Sequence, residues 1–373
     1  MLGVGFTLRT DSTRVRDFFR AAYARFRSDA DPEADDLIVE ALLGSGDRPA
    51  TLSDGTSRIE MSGPSMHENR AFLYILNSLM GRLGDYFIVH GAAVEVNGSG
   101  IILAGPPTAG KSTLVTELAR KGATFLSDDV APIHRATGRL HPFPRAIGIR
   151  KGGEQEAGFD PRRAPAGAVM ELPFKWLVDP AALGLRVAGG SGEGVPISDI
   201  IVMDPFGHDR SEHPVNGFRH LDVALADEDG SVIAELQSLP GVRSVEVHRR
   251  DPYPVYQVTV RRNEPIMRVL SDLCRRRRDV VLYVDEAREA PKRRPVEPDL
   301  RPMVASAALM ELTRDLLNRS DSGALVAATG GLPGLLTQLA RTVAGARTWR
   351  LRPGSIARTA DAVLAASAAR AGA

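Results

Sequence analysis

Residues 101–130 read IILAGPPTAGKSTLVTELARKGATFLSDDV, and the reading of this stretch decides the fold. Ile101 to Ala104 is an apolar run of the right length for a buried strand. Gly105-Pro106-Pro107-Thr108-Ala109-Gly110-Lys111-Ser112 then matches G-x-x-x-x-G-K-[ST], a loop that cradles phosphate. Its glycines let main-chain N–H groups turn inward, where they meet phosphate oxygens. The pattern gives Lys111 to the β- and γ-phosphates as a solvent-facing ligand and the Ser112 hydroxyl to Mg²⁺. Thr113 completes the nucleotide-binding run, and Leu114, Val115 and Leu118 recur at helical spacing. The loop therefore opens a helix whose positive end faces the bound anion. Gly122 ends that helix, and Ala123 to Leu126 predicts a second strand that delivers Ser127-Asp128-Asp129.

Upstream, Phe87-Ile88-Val89 leads into His90-Gly91. Val94-Glu95-Val96 pairs with Ile101 to Leu103 across Asn97-Gly98, a hairpin turn signal. The order of HG, hairpin, loop, helix, strand and DD resembles the HPr kinase/phosphorylase family. More distantly it is similar to ATP-dependent phosphoenolpyruvate carboxykinase. The resemblance runs from about Tyr86 to Arg150. It implies an α/β fold with a P-loop kinase core, ATP and Mg²⁺ as cofactors, and phosphoryl transfer to a hydroxyl. It makes Asp129, the second of the pair, the general base, and puts Asp128 with Ser112 in the Mg²⁺ shell. It brings His90 to the γ-phosphate. Arg145, in His141-Pro142-Phe143-Pro144-Arg145, falls where the family sends a third strand toward the site, so it is placed to neutralise transferring charge. The family's glutamate-bearing signature stretch has no counterpart here. An efficient reverse reaction is therefore not expected, and HPr is not implied as the acceptor.

The implied acceptor is a serine of a protein or peptide, a peptide natural-product precursor among them. The alternatives are a small-molecule or carboxykinase-like phosphotransferase, and an ATP-binding regulatory protein with little turnover.

The 373 residues suffice for two or three domains. Charged residues make up 25% and hydrophobic ones 43%, as in ordinary globular proteins. A net charge of +1 gives no drive toward nucleic acid or an anionic membrane, and neither is expected as a partner. The single Cys274 excludes an intrachain disulfide framework and is read as buried and inert. No basic-then-apolar leader opens the chain and no apolar run reaches membrane length, so a cytoplasmic location is expected. Homo-oligomerisation is left open.

The chain divides into an N-terminal α/β unit (1–83), a core (84–288), and a linker with a mainly helical segment (289–373). In the first unit, Gly3 to Arg9, Leu37 to Leu43 and Ser57 to Met61 predict strands, with helices over Thr13 to Phe26 and Met66 to Leu83. Lys151 to Gly167, rich in Gly, Pro and charge, reads as a surface loop. Ser244 to His248 and Val255 to Val260 alternate as strands do, and Val232 to Leu239 and Pro265 to Cys274 suit helices. Glu289 to Arg301 is the linker. Helices are expected over Met303 to Leu317, Leu332 to Val343 and Ile356 to Ala369, with a strand at Thr348 to Leu351.

Two runs mimic a Walker B strand: Val280 to Val284 before Asp285-Glu286, and Ile200 to Met203 before Asp204. Both read as buried strands ending in solvated carboxylates. Arg275 to Arg278 complements a helix dipole and stays hydrated. His208, His213 and His220 fall in a loop with Asp204 and Asp209 at spacings that match no metal motif.

Overall fold

A computed structural model of the chain describes residues 1–28, 33, 35–44, 49–61, 67–106, 109–165, 167–172, 175–189, 193–204, 218–226, 230–249, 254–261, 273, 276–277, 280–286, 296–316 and 324–368. The fold is mixed α/β. Ser12 caps the first helix, α1 (Thr13–Ala22), its hydroxyl accepting from the Val15 N–H at 3.2 Å. The flanking strands β1 (Phe6–Thr10) and β2 (Leu37–Leu42) are parallel, as a helical crossover requires. β3 (Ala50–Ser53) and β4 (Arg58–Met61) extend that sheet antiparallel, and α2 (His67–Arg82) leads on from it. The short β3 lies just before the Ser53-Asp54-Gly55 turn and carries no strand signal of its own.

The central sheet has six strands. β6 (Gly91–Val96) and β7 (Ser99–Ala104) form the expected hairpin, with Asn97 at φ 50° and Gly98 at φ 76° in its two-residue turn. β8 (Thr124–Ser127) pairs antiparallel with β6 and so runs in the direction of β7. On the other side β13 (Ile197–Met203) lies parallel to β7, and β19 (Arg347–Arg352) parallel to β13. β18 (Asp299–Pro302) closes that edge antiparallel. The strands alternate their side chains between two cores. Ile101 and Leu103 pack with α3 (Lys111–Arg120) and α8 (Ile356–Ala368). Ile102 and Ala104 pack with α5 (Ala305–Arg314) and α7 (Leu332–Ala344). β13 is buried along its whole length, which explains its unbroken apolar run.

Strands from the 289–373 segment thus lie inside the central sheet. Residues 299–301, at the end of the expected linker, are strand, because their main chain pairs with β19. The rest of that linker up to residue 295 lies outside the described residues. Buried Asp199 ties the segment down, accepting from the Trp349 indole at 2.8 Å, from Arg347 at 2.9 Å and from the Ser367 hydroxyl at 2.7 Å. One further helix, α6 (Ala324–Ala328), packs beside α7.

Smaller sheets surround this centre. β5 (Tyr86–Val89) pairs with β9 (Ala131–His134). β10 (Ile147–Arg150), β12 (Lys175–Val178) and β11 (Val169–Glu171) form a three-stranded sheet in the order β10-β12-β11. β11 and β12 had no period-2 signature long enough to be read. Between β13 and β18 the chain builds a separate antiparallel sheet, order β15-β16-β14-β17, from β14 (Phe218–Leu225), α4 (Gly230–Ser238), β15 (Val242–Arg249), β16 (Val255–Arg261) and β17 (Val281–Glu286). His220 lies on strand β14 rather than in a loop, its Nδ1 3.1 Å from the Thr259 hydroxyl. His208, Asp209 and His213 lie outside the described residues, as do Cys274, Arg275, Arg278 and most of the expected Pro265–Cys274 helix. Arg276 and Arg277 are engaged with α4, meeting Glu235 and the Ser231 hydroxyl, rather than simply hydrated.

Candidate functional site

Strand direction gathers the site at one end of the central sheet. β7 and β8 both end there, and β6 begins there, since Gly91 pairs with Ala104. The loop after β7, the acidic pair after β8 and the histidine before β6 therefore share one edge, the carboxyl end of parallel strands where α/β sheets hold ligands.

Close packing shapes the loop. Gly105 has φ 143°, and a Cβ there would sit 2.8 Å from the Met203 carbonyl at the end of β13, so only glycine fits. Gly110, at φ 95°, starts α3. Pro107 and Thr108 lie outside the described residues. Pro106, Ala109 and Thr113 lie in the loop and first helical turn, where the motif put them.

Lys111 differs from the expected solvent-facing ligand: it is 5% exposed. Its ammonium donates to the carbonyls of Gly105 at 2.7 Å and Pro106 at 3.1 Å, and lies 3.4 Å from His90 Nε2. Burial pushes its pKa down, while Asp129, Asp315 and Asp128 work to raise it. His90 is held at its other nitrogen, with Nδ1 3.2 Å from the Asp129 carbonyl. That contact makes Nδ1–H the donor and leaves the Nε2 lone pair toward Lys111. Burial first, then the Lys111 charge, bring the His90 pKa down to about 4, so the ring is neutral.

The two aspartates sit in different environments. Asp128 is fully buried; its Oδ1 accepts from the Ser112 hydroxyl at 2.8 Å and its Oδ2 from the Gly148 N–H at 3.4 Å. Burial and the neighbouring Asp129 raise its pKa. Asp129 has φ 63°, a left-handed conformation that aspartate tolerates better than most residues. Its side chain is 33% exposed, and Arg145 Nη2 lies 3.3 Å from its Oδ2. Burial works to raise this carboxyl, but Arg145 first, and then Lys111 and Lys175, hold it below the usual range. The two carboxyls thus stand in different places, Asp128 buried against the Ser112 hydroxyl and Asp129 partly open to solvent beside Arg145.

Arg145 is itself supported from the N-terminal unit. Tyr23, just past α1, faces its guanidinium and meets Phe143 edge-on. The Ala146 N–H donates to the Ala22 carbonyl at 2.9 Å.

The geometry thus brings together Gly105, Gly110, Lys111, Ser112, Asp128, Asp129, His90 and Arg145. It also adds residues that sequence reasoning missed. Tyr23 depends on how α1 packs, and Lys175 comes from the unread β12. Asp315, just past α5, sits close enough to act on Lys111. Asp204 corrects the reading of a solvated carboxylate: it is 5% exposed and follows Met203, whose carbonyl fixes Gly105. The apolar run before it was the available signal. The side chains of Asp285 and Glu286 lie outside the description. Among the described residues no cluster of three or more His, Cys, Asp or Glu is arranged around a metal position. No described helix is long and apolar enough to cross a membrane.

Fold and site define an α/β protein that sets a G-x-x-x-x-G-K-S loop against paired carboxylates. Comparison with known proteins relates it to the HPr kinase/phosphorylases. The chain is 26% identical over 106 residues to the HPr kinase/phosphorylase of Levilactobacillus brevis, covering 28% of this chain and 33% of that one. It is 29% identical over 77 residues to the one from Lactiplantibacillus plantarum, covering 21% and 24%. It is 33% identical over 66 residues to the one from Listeria welshimeri, covering 18% and 21%. The chain thus spans a third or less of the length of these curated relatives. Among solved structures it is similar to the Hpr(Ser) kinase/phosphatase from Coxiella burnetii, at a TM-score of 0.21 and 15% identity over 36% of this chain and 75% of that one. No family model matches the chain.

Proposed function

We propose that this chain is an ATP-dependent kinase that transfers the γ-phosphoryl group to a hydroxyl, the serine of a protein or peptide. The observation that carries the reading is the Ser112–Asp128 contact at 2.8 Å, made beside Lys111 and Asp129 at one strand end. In this reading residues 84–288 hold the kinase core, β18 and β19 complete its sheet, and the N-terminal unit supplies Tyr23. The core is of the P-loop type, related to that of HPr kinase and phosphoenolpyruvate carboxykinase, and the protein acts in the cytoplasm.

The residues present suit Mg²⁺. Ser112 and Asp128 offer two adjacent oxygen ligands, and Mg²⁺ commonly takes one or two carboxylates and completes its shell with water and phosphate. When bound, the ion neutralises charge on the β- and γ-phosphate oxygens. The loop amides and Lys111 hold the nucleotide. Asp129 accepts the proton of the acceptor hydroxyl as its oxygen bonds to the γ-phosphorus. The bond from that phosphorus to the bridging oxygen breaks, and its electron pair leaves on ADP. Arg145 and neutral His90 face the charge that develops.

The test is transfer of labelled γ-phosphate from Mg-ATP to serine-bearing peptides and proteins, beside Lys111→Met. That substitution keeps the buried stem and removes the ammonium, so it should abolish tight Mg-ATP binding. Unchanged ATP affinity in Lys111→Met overturns the nucleotide reading. Tight ATP binding with no transfer to any hydroxyl favours a regulatory ATP-binding protein, and transfer to a small metabolite alone favours a small-molecule phosphotransferase.

A further inference from the structure

His90 touches two other parts of the site at once. Its Nδ1 lies 3.2 Å from the Asp129 carbonyl oxygen, and its Nε2 lies 3.4 Å from the Lys111 ammonium. The imidazole thus spans from the phosphate loop to the main chain of the residue read as the general base. The fold itself sets where the ring stands. Val89 pairs with Ala131 in the β5–β9 ladder, which brings the end of β5 alongside the chain that leaves Asp129. The His90 N–H is held by the Asp315 carbonyl at 2.7 Å. At Gly91 a Cβ would sit 2.8 Å from the Leu103 carbonyl, so β6 and β7 pack tightly at the next residue.

Asp129 needs such a hold. Its backbone sits at φ 63°, a left-handed conformation that a residue other than glycine keeps only where its surroundings fix it. That conformation also directs the Cα–Cβ bond, and with it the carboxylate, which stands 33% exposed beside Arg145. Arg145 holds the carboxylate itself at 3.3 Å, whereas His90 holds the peptide group behind it. A carbonyl oxygen can only accept, so this contact needs the proton on Nδ1. A general base must lie within hydrogen-bond reach of the hydroxyl it serves, and small errors of placement are felt in the rate.

We propose that His90 is a positioning residue, its Nδ1–H holding the Asp129 main chain in the left-handed conformation that aims the carboxylate at the acceptor hydroxyl. This rests on the kinase reading above, and the first measurement uses neither nucleotide nor acceptor. Nitrogen NMR of the histidine-labelled protein alone should show His90 protonated at Nδ1 and bare at Nε2. Its signals are assigned by their loss in whichever of His90→Asn and His90→Gln folds. An Nε2–H tautomer overturns the role and leaves the kinase reading intact. The second measurement splits the ring, since an asparagine amide puts an N–H near the place of Nδ1 and a glutamine amide near that of Nε2. Single-turnover transfer from labelled Mg-ATP is followed with a library of peptides carrying a central serine, and water is scored as an acceptor too. His90→Gln should bind Mg-ADP within about threefold of wild type and lose about 10- to 100-fold in transfer rate. His90→Asn should recover at least about threefold of that loss, and equal losses in the two variants overturn the role. Added to Asp129→Asn, His90→Gln should cost less than about threefold more, because the base it positions is already gone. Losses that multiply in full overturn the role as well. A wild-type chain that transfers to no hydroxyl, water included, overturns the kinase reading and this inference together.

Discussion

The main-chain N–H of His90 donates to the carbonyl oxygen of Asp315 at 2.7 Å, and the next residues, Val89 and Leu316, form an antiparallel bridge. A residue at the edge of the phosphate loop is thereby fixed by the end of α5, some two hundred residues further along the chain. The Asp315 carboxyl is 11% exposed and meets Arg314 Nε at 3.2 Å. Burial pushes its pKa up, against the opposing pull of Arg314 and Lys111. A raised carboxyl pKa means the folded state holds its proton more tightly than the unfolded chain. Its charged form is therefore a cost at pH values above the folded pKa, and that cost fades as pH falls through it.

Asp315→Asn removes that cost and keeps an oxygen for Arg314. The variant should melt about 1–2 °C above wild type at neutral pH, and the advantage should shrink on acidification toward the carboxylate range. Thermal melts of both proteins across that range check it. A gain that grows on acidification is the contrary result.

The site was legible where chemistry and local sequence coincide and obscure where packing decides. Lys111, Ser112, Asp128 and Asp129 stand within one strand-loop-helix-strand stretch, whose pattern is itself the signal. The Asn97-Gly98 hairpin was equally plain, because its turn demands positive φ at both residues. Tyr23, Lys175 and Asp315 reach the same site through long-range packing, and nothing in their neighbours' spacing marks them. β18 escaped notice because a short edge strand among prolines and charges owes its form to its partner, β19. Asp204 was misjudged for a related reason. Whether a carboxylate at a strand end is solvated depends on long-range packing, and here the main chain at Asp204 is tied to β19, its N–H donating to the Leu351 carbonyl at 2.7 Å.

Asp54 offers a stability test away from the chemistry. Its side chain, 7% exposed, accepts from Thr56 N–H at 3.0 Å, Ser57 N–H at 2.9 Å, the Thr56 hydroxyl at 2.8 Å and the Ser78 hydroxyl at 2.9 Å. It thus joins the β3–β4 turn to α2. Burial alone would raise this carboxyl, but the donated hydrogen bonds outweigh it and bring the pKa down to about 2. A depressed carboxylate contributes stability that is fully present above the unfolded pKa of about 3.9 and is lost as pH falls toward the folded value. Asp54→Ala should cost about 2–3 kcal/mol at pH 7 in denaturant unfolding, and the gap from wild type should narrow between roughly pH 4 and pH 2. An equal gap at all pH values contradicts the assignment.

Tyr23→Phe isolates the reach of the N-terminal unit into the site. The ring stays packed on Phe143, and only the hydroxyl that faces Arg145 is lost. A polar group set against a charged one is worth about 1–2 kcal/mol. Phosphoryl transfer should fall about 3- to 30-fold as Arg145 loosens, with Mg-ATP affinity near wild type. Steady-state transfer kinetics beside nucleotide calorimetry give the answer. Wild-type kcat would mean that Arg145 needs no support from α1.

The acidic pair separates kinase from binder most sharply. A serine hydroxyl is a poor nucleophile at neutral pH, so removal of its proton by a positioned base matters to the chemical step. Asp129→Asn preserves shape and tolerates the left-handed backbone at φ 63° as aspartate does. It removes the proton acceptor and the charge paired with Arg145. Nucleotide affinity depends on the loop amides, Lys111 and Mg²⁺, so it should change little, while transfer should fall about 10²- to 10⁴-fold. Asp128→Asn should act differently, raising the Mg²⁺ concentration needed for half-maximal transfer, because its carboxylate shares the Ser112 oxygen environment. Without Mg²⁺, the same variant should melt at or above the wild-type temperature at neutral pH, since burial and Asp129 already disfavour the charged form of Asp128. Labelled transfer, calorimetry and melts on both variants decide the matter. Transfer by Asp129→Asn at the wild-type rate would put the base elsewhere. An Asp128→Asn variant indifferent to Mg²⁺ would take the metal away from this pair.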